Sequence, residues 1–312
     1  MTFLRGTGHL TRFLSVLCLF SWLMSFCAVH ALEPNPVNRL QQVEAHNLAA
    51  QRGNDAWISD WTGFLAKVRK KALDYTNDLP NFVCTETVRR YAKTSTDNNI
   101  VLDEIVGEVS FFEKKERYKV LRVGNKPHPE GTTQTNLGMT SIGEFGGSLN
   151  SLFDPLVNAE FKFAGISLIR GHRTVCIKYE VPLRTSRSVV SIGTESVTVA
   201  YRGRCCVEPD SYHVVQLQDV AVGIPGTFPI TESESMTEYD VVNIAGKKIW
   251  LPVSATVRMV AENDGRRKMY DFYRSLVGPA SPSNFYPPKI EARNIIVYSD
   301  YHKFQSEVKI TF

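Results

Sequence analysis

The sequence predicts a mainly β protein with a few helices: one long curved antiparallel sheet, a half-barrel, with helices covering its concave face. Three observations predict it. After Pro80, apolar residues recur with period two in long runs, the spacing that sends alternate side chains to opposite faces of a strand. Turn-forming residues separate these runs at even intervals, with no regular alternation of strand and helix patterns. Two segments carry apolar residues at helical spacing instead and must bury one side against something.

The elements follow in chain order. Arg5, His9 and Arg12 precede an uncharged apolar run over residues 13–29, and Val29-His30-Ala31 closes it with a small-x-small pattern. This is the layout of a secretory signal peptide over 1–31, with an uncleaved N-terminal anchor as the alternative. Residues 32–56 are polar and Asn/Gln-rich and read as a mobile leader. The domain expected from 57 to 312 opens with a helix over 57–75, whose apolar positions Trp57, Trp61, Phe64, Leu65, Val68, Ala72 and Tyr75 lie on one side. Asn77-Asp78-Leu79-Pro80 ends it. Strands are expected at 82–93, 101–113, 117–123, 160–170, 174–182, 189–207, 212–222, 234–244, 248–261, 268–277, 292–298 and 305–312, arranged as a meander. Arg170-Gly171-His172, Glu208-Pro209-Asp210-Ser211, Ala245-Gly246-Lys247 and Asn263-Asp264-Gly265 supply the turns. A loop-helix insertion fills 124–159, with Ile142, Phe145, Leu149, Leu152 and Phe153 facing the sheet and Ser148 as a helix N-cap. Residues 278–291 form a Pro-rich surface loop.

Removing residues 1–31 from the 312 leaves 281, enough for a sizeable core, with 34 basic against 32 acidic side chains. That balance argues against a nucleic-acid partner. Arg69-Lys70-Lys71 and Arg266-Arg267-Lys268 read as solvated faces. Cys84, Cys176, Cys205 and Cys206 remain after cleavage, and an oxidising compartment permits a disulfide of Cys176 with Cys205 or with Cys206. Adjacent Cys205 and Cys206 point to opposite faces of a strand and are not expected to pair with each other.

Leu79-Pro80-Asn81-Phe82-Val83-Cys84-Thr85, Gly143-Glu144-Phe145-Gly146 leading to Phe153-Asp154-Pro155, Tyr201-Arg202-Gly203, and Tyr298-x-x-Tyr301-x-x-Phe304 resemble an uncharacterised family of exported proteins common in acidobacteria-like genomes. A looser likeness links the hairpin around Tyr201-Arg202-Gly203 to the half-barrels of periplasmic lipoprotein carriers. That likeness implies one long sheet curled around an apolar cavity plugged by helices; fold likeness alone transfers no function.

The sequence contains no H-E-x-x-H, no C-x-x-C, no G-x-S-x-G and no P-loop in its mature part, so no catalytic residue, metal ligand or cofactor is assigned. Neither His172, in a turn, nor His213, at a strand start, has a second ligand at metal spacing, and both read as satisfied or solvated. Asp103-Glu104, Glu232, Glu234, Glu238 and Asp240 are the candidates for carboxylate chemistry, and read first as solvent-facing acids. Aromatic residues on the strands and helices are the better clue. Trp61, Phe64, Phe145, Phe153, Phe163, Tyr179, Tyr201, Trp250 and Phe272 are the candidate lining of an apolar ligand cavity, or else a filled core. The expected function is therefore an exported, non-enzymatic binding or carrier protein, periplasmic or extracellular and associated with the outer membrane, holding a lipid or other apolar ligand. The alternatives are a structural or interaction protein with an envelope protein partner, and a hydrolase using carboxylates.

Overall fold

The computed structural model describes residues 60–94, 100–128, 143–192, 195–262 and 289–304, all within one compact unit, His46–Phe312. The signal segment, the leader, the strands expected at 268–277 and 305–312, the Asn263-Asp264-Gly265 turn, Phe272 and most of the Pro-rich loop lie outside these residues.

Helix α1 (Trp61–Asp78) begins at Asp60, whose carboxylate accepts from the Gly63 amide at 2.9 Å, an N-cap three residues inside the expected start. Phe64, Val68, Ala72 and Tyr75 form its buried stripe. Strands β1 (Phe82–Thr94), β2 (Ile100–Phe112), β3 (Lys115–Val123) and β4 (Lys126–Pro127) follow. Next come α2 (Gly147–Phe153), β5 (Glu160–Ile169), β6 (His172–Val181), β7 (Val189–Ile192), β8 (Glu195–Thr198), β9 (Ala200–Val207), β10 (Val214–Val222), β11 (Ile230–Ile244), β12 (Lys247–Glu262) and β13 (Lys289–Lys303).

Among the described residues, eleven strands make one antiparallel sheet in the order β4-β3-β2-β1-β13-β12-β11-β10-β9-β6-β5. The sheet is open, with β4 and β5 as its edges, and register shifts in β1, β2, β5, β10 and β11 bend it into a half-barrel. The expected meander is corrected in two places. The first described strand pairs with the last described one, Phe82 opposite Lys303 through Thr94 opposite Ile290, a contact of high sequence separation that local pattern does not encode. The chain also leaves β4 at one edge and re-enters as β5 at the other, and α2, which precedes β5, packs on the concave face.

Three further expectations are corrected. The single strand at 189–207 is three elements: β7 and β8 pair as a separate hairpin, Val189 opposite Thr198, before β9 joins the main sheet. The reason is tertiary: the hairpin folds back so that Val190 packs against Ile230, Ala261 and Ile290. The helix expected from 142 starts at Gly147, and its N-cap is Gly146, not Ser148. Gly146 has φ +125°, and a Cβ there would come within 2.5 Å of the Thr76 hydroxyl oxygen, so glycine permits α2 to abut the end of α1. Residues 126–127, expected as loop, form the edge strand β4.

The hairpin turns follow the sequence closely. Arg170-Gly171 and Ala245-Gly246 take two consecutive positive φ angles, the signature of a type I′ connection. Glu113-Lys114 does the same without glycine, and α1's end supports it: Lys114 Nζ donates to Asn77 Oδ1 at 2.8 Å, and the Glu113 amide to Asn81 Oδ1 at 3.2 Å.

Alternation sorts the side chains. Phe82, Cys84 and Val88 of β1, Val175, Ile177, Tyr179 and Val181 of β6, and Cys205 and Val207 of β9 face the helices in one cluster with the α1 stripe and with Phe145, Leu149, Leu152 and Phe153. A second cluster lies where the β7–β8 hairpin packs Val190 against Ile230, Ala261, Ile290 and Ala292. Arg90 is 2% exposed and binds Asp103 through Nε at 2.6 Å and through a second guanidinium nitrogen. On the opposite face Cys176 stands directly across from Cys206, and the two are disulfide-bonded. Cys84 and Cys205 are free and buried.

Gly203 solves a crossing problem. Tyr179 on β6 reaches over β9 and donates its hydroxyl to the Gln218 carbonyl and the Asp219 carboxylate on β10, both at 2.6 Å. Any Cβ on Gly203 would overlap the Tyr179 ring end and the Gln218 carbonyl oxygen. Gly203→Ala is therefore expected to cost about 3 kcal/mol in chemical denaturation, by overpacking. Breaking the Cys176–Cys206 bond with a paired Cys→Ser variant is expected to cost about 3 kcal/mol, for a closed loop of 30 residues.

Candidate functional site

The question the fold poses is what fills the space between the concave face and the helices. Of the nine aromatic residues proposed to line a cavity, Phe64, Phe145, Phe153, Tyr179 and Tyr201 sit in the main core, and Trp61 and Trp250 pack on it half-buried. Phe163 stands on the edge strand β5, 45% exposed, with its ring edge-on to Trp61 at 6.3 Å. Phe272 lies outside the described residues. The buried rings pack on one another: Phe153 stacks on Phe161 at 5.3 Å, Phe145 meets Phe82 at 5.4 Å and Tyr298 at 5.2 Å, and Tyr75 meets Tyr239 edge-on at 6.1 Å.

Beneath α1, between Ala72, Tyr75, Leu149, Val214 and Tyr239, the remaining void is about 10 Å³, at or below what one water needs. The open volume lies farther out. A cleft of about 180 Å³ runs between the second half of α1 and the ends of β10 and β12, lined by Lys71, Tyr75, Asp78, Leu79, His213, Lys248, Ile249 and Trp250. Its inner end shares Lys71, Tyr75, His213 and Trp250 with the small void. Leu79, Ile249 and Trp250 are its apolar part, and Lys71, Asp78 and Lys248 its charged part, with Lys71 paired to Asp78 at 2.9 Å.

Each element positions its part. The helical period brings Lys71 and Tyr75 onto adjacent turns facing β12, and the Tyr75 hydroxyl donates to the Trp250 carbonyl at 3.0 Å. The β11–β12 turn at Ala245-Gly246 puts Lys248 and Trp250 at the sheet end. The Glu208–His213 turn, with Tyr212 at φ +60°, delivers His213 beside Trp250, ring edge-on at 5.3 Å. His172 covers Trp250 from another side at 4.9 Å.

His213 departs from the sequence reading at one atom: the ring is half-buried, and its Nδ1 is buried with no hydrogen-bond partner among the described residues. Burial, reinforced by the Lys71 charge, holds the imidazole pKa down at about 4. His172 does fit the earlier reading: its Nε2 lies 3.1 Å from Asp240 Oδ1. The basic run 69–71 is only partly a solvated face, since Lys71 lines the cleft and the Arg69 guanidinium lies over the Phe161 ring at 5.9 Å.

All of the carboxylate candidates except Glu234 are engaged with bases. Asp103 holds Arg90; Glu104 holds Arg89 and Arg122; Glu232 holds Arg258 and Lys289; Glu238 and Asp240 share Arg170. Asp219 differs, since burial lifts its pKa to about 6 while the Tyr179 hydroxyl opposes the shift. Burial also raises the Cys84 and Cys205 thiols above their ordinary range, so both stay protonated and unreactive at neutral pH. Among the described residues no group of three or more His, Cys, Asp or Glu side chains is placed to hold a metal ion.

The sequence reading named Trp250 at this site but not Lys71, His213 or Lys248. No local motif links them, because the cleft assembles residues from α1, the β9–β10 turn and β12.

No family model matches the chain, and no curated protein matches it. The acidobacteria-like family suggested by the sequence motifs thus has no support from these comparisons. Among solved structures, the chain is similar to a LolA superfamily protein from Nitrosomonas europaea, at 10% identity over 78% of this chain and 94% of that one, with a TM-score of 0.30. It is similar to a DUF1329 family protein from Desulfovibrio piger, at 7% identity over 80% and 94%, with a TM-score of 0.34. It is also similar to an outer membrane lipoprotein-sorting protein domain from Vibrio parahaemolyticus, at 8% identity over 78% and 92%, with a TM-score of 0.30. Likenesses this distant carry no argument about activity, and the half-barrel assignment rests on the sheet itself.

The His213 environment has a pH consequence. The unfolded imidazole takes its proton near pH 6.5 and the folded one only near 4, so His213 withdraws stability as pH falls through that window. Asp219 acts in the opposite sense between its unfolded value near 4 and its folded value near 6, where protonation favours the fold. Urea unfolding across pH 4 to 7 is expected to show a shallower acid-side loss in His213→Gln than in the parent chain, and a steeper one in Asp219→Asn.

Proposed function

We propose that this chain is an exported, non-enzymatic binding or carrier protein for an apolar ligand, seated on the concave face beneath α1 and entered through the cleft at Trp250. The observation that carries the reading is that α1 lies on an apolar face with a way in from solvent at one end. In the resting form the helix's own stripe occupies the seat, so loading is a replacement: α1 lifts, and an apolar chain takes the place of Ala72 and Tyr75 against Leu149, Val214 and Tyr239.

The energetics favour an exchange over a simple insertion. Each large apolar side chain of α1 gains about 1.5–3 kcal/mol from burial, and a ligand chain covering the same area returns a similar amount. The polar ties that must break include Tyr75 to the Trp250 carbonyl, Asn150 to Thr76 at 3.0 Å, Lys67 to Tyr212 at 3.3 Å and Lys114 to Asn77 at 2.8 Å. Each contributes about 1 kcal/mol. The Cys176–Cys206 bond supports an oxidising compartment, periplasmic or extracellular, and hence the signal-peptide reading of residues 1–31.

A structural or interaction role with an envelope protein partner has one observation in its favour. The open edge strand β5 exposes Phe163 and Leu168, the latter at 67%. The bulge at Gly165 and the outward Lys162 oppose addition of a further strand there, so the carrier reading is preferred.

Native mass spectrometry of the chain purified without detergent from an envelope fraction tests the reading, together with titration by the neutral dye N-phenylnaphthylamine. One bound apolar molecule per chain and saturable dye binding are expected. Leu149→Ala, which enlarges the void, is expected to tighten dye binding while costing about 2–5 kcal/mol of stability. A filled core with no co-purifying ligand and no saturable dye binding would overturn it.

A further inference from the structure

We infer that the edge strand β5 and the turns beside it dock on a membrane surface of anionic lipid, with apolar side chains seated in the headgroup layer and lysines on lipid phosphates. This goes beyond the carrier reading and stands without it, because it concerns the open rim of the sheet and not the space beneath α1.

The apolar side chains of the rim share one face. Phe161 and Phe163 lie opposite Tyr179 and Ile177, and Ile166 and Leu168 opposite Val175 and Arg173. Strict alternation would send the second pair to the other face. The one-residue shift at Gly165 returns it, so all four lie on the concave side. Phe161 stacks on Phe153, whereas Leu168 stays 67% exposed and Phe163, against the Trp61 ring, 45%. Leu156, in the turn Pro155–Val157 just before β5, is 74% exposed, and Leu183, in the turn after β6, 56%. Thr185 joins those two turns by donating to the Val157 carbonyl at 2.6 Å. Of the nine large apolar side chains exposed among the described residues, five lie between 154 and 207. A long apolar edge is a liability that folds ordinarily blunt. The opposite edge is blunted, since β4 is only Lys126 and Pro127, but no residue of β5 is fully buried.

The charge of this side is an independent observation. Residues 154–207 carry eight basic and four acidic side chains, whereas the rest of residues 32–312 carries 26 basic and 28 acidic. Glu238 and Asp240 engage Arg170, and Asp154 engages Arg187; without these the balance of the segment is still six to three. On the convex side of the rim, Lys162, Lys178 and Arg204 stand directly opposite one another across β5, β6 and β9. The adjoining row is Glu160, Glu180 and Arg202, so the six side chains together carry +2. Arg204 donates to the uncharged Ser167 hydroxyl at 3.1 Å, and the nearest acid to Lys162 is the exposed Glu160 at 4.0 Å. Like charges facing one another across strands destabilise a sheet. Protection of an edge needs charge but not a single sign. A negative surface outside the protein relieves the repulsion within the row.

These two features select the occupant. With apolar side chains on one face and cations on the other, β5 has the layout of an amphipathic element lying in a membrane interface, its lysine stems reaching back to headgroup level. A second copy of the chain does not suit this surface, because two like-charged sides repel. A strand from a partner protein meets the Gly165 bulge and Lys162. Leu156, Phe163 and Leu168 follow one another along a rim, a line that a deformable bilayer accepts without a matching shape. Penetration stops in the headgroup layer, since the free amides and carbonyls on the outer side of β5 require polar partners. Trp61, half-buried beside Phe163, sits at that level, where its ring is favoured.

Co-sedimentation of the processed chain with lipid vesicles tests the proposal. Vesicles of phosphatidylcholine with about one third phosphatidylglycerol are expected to bind the chain at low salt, and omitting the anionic lipid or raising the salt to weaken binding about tenfold. Leu156→Ser combined with Leu168→Ser is expected to weaken it about tenfold at an unchanged unfolding midpoint. Lys162→Gln combined with Lys178→Gln is expected to weaken it by about the same factor. Val297→Ser and Lys126→Gln, at exposed positions off this rim, are expected to bind like the parent. Lys178→Gln has a second signature: its urea midpoint rises slightly while binding falls, because the row of like charges is broken. No binding to anionic vesicles, equal binding to neutral ones, or rim variants that bind like the parent would overturn the inference. Sedimentation with native envelope membranes but not with vesicles of their extracted lipids would assign the surface to a protein and overturn it too. Dye titration without lipid reads the carrier function separately, since neither Leu156 nor Leu168 lines the Trp250 cleft, so either result can fail while the other stands.

Discussion

A curved sheet of eleven strands has one face it cannot leave wet. Its concave side collects Phe82, Val109, Phe111, Ile177, Tyr179, Leu217, Tyr239, Leu251 and Ile296, all nearly fully buried. Among the described residues the one other sheet is the two-stranded β7–β8 hairpin. Two helices and a short hairpin do the covering, and the rest of the architecture is arranged so that they arrive there. Between β4 at one edge and β5 at the other, α2 adds Leu149, Leu152 and Phe153 to that cover. The α1 stripe is short and strictly apolar because it meets aromatic rings along its length.

The same constraint explains why the polar groups on that face are so tightly matched. Arg90 sits on the concave side of β1 and is held by Asp103 from the neighbouring strand. Leaving either partner alone there would strand a charge in a medium that solvates it poorly. Tyr179 reaches across a strand to find Gln218 and Asp219, and glycine at 203 is what lets the ring pass. His213 is the exception, and it is found where the covering layer ends.

Much of the fold was legible in the sequence. Period-two runs located β1, β2, β5, β6 and β10 to within two residues, because one face of each is buried and the other wet. Arg170-Gly171 and Ala245-Gly246 announced their turns because glycine was needed at positive φ. The run from 189 to 207 misled because every residue in it suits a strand, while the break depends on where the hairpin could pack. The β1–β13 pairing was beyond reach for a different reason: both strands are compatible with many neighbours, and the choice is made by the closure of the whole sheet. At the candidate site, the aromatic floor was visible as Trp250, whereas Lys71, His213 and Lys248 are ordinary polar residues until tertiary structure gathers them.

Cys205 and Cys206 are consecutive yet belong to different faces, one in the core and one bonded to Cys176. A one-residue slip of β9 would bring Cys205 opposite Cys176 and turn Tyr201 and Val207 outward. The crosslink therefore works as a covalent checksum. Once Cys206 has been chosen, the misaligned ladder is no longer accessible, and the parity of the entire strand is recorded in a single sulfur–sulfur bond.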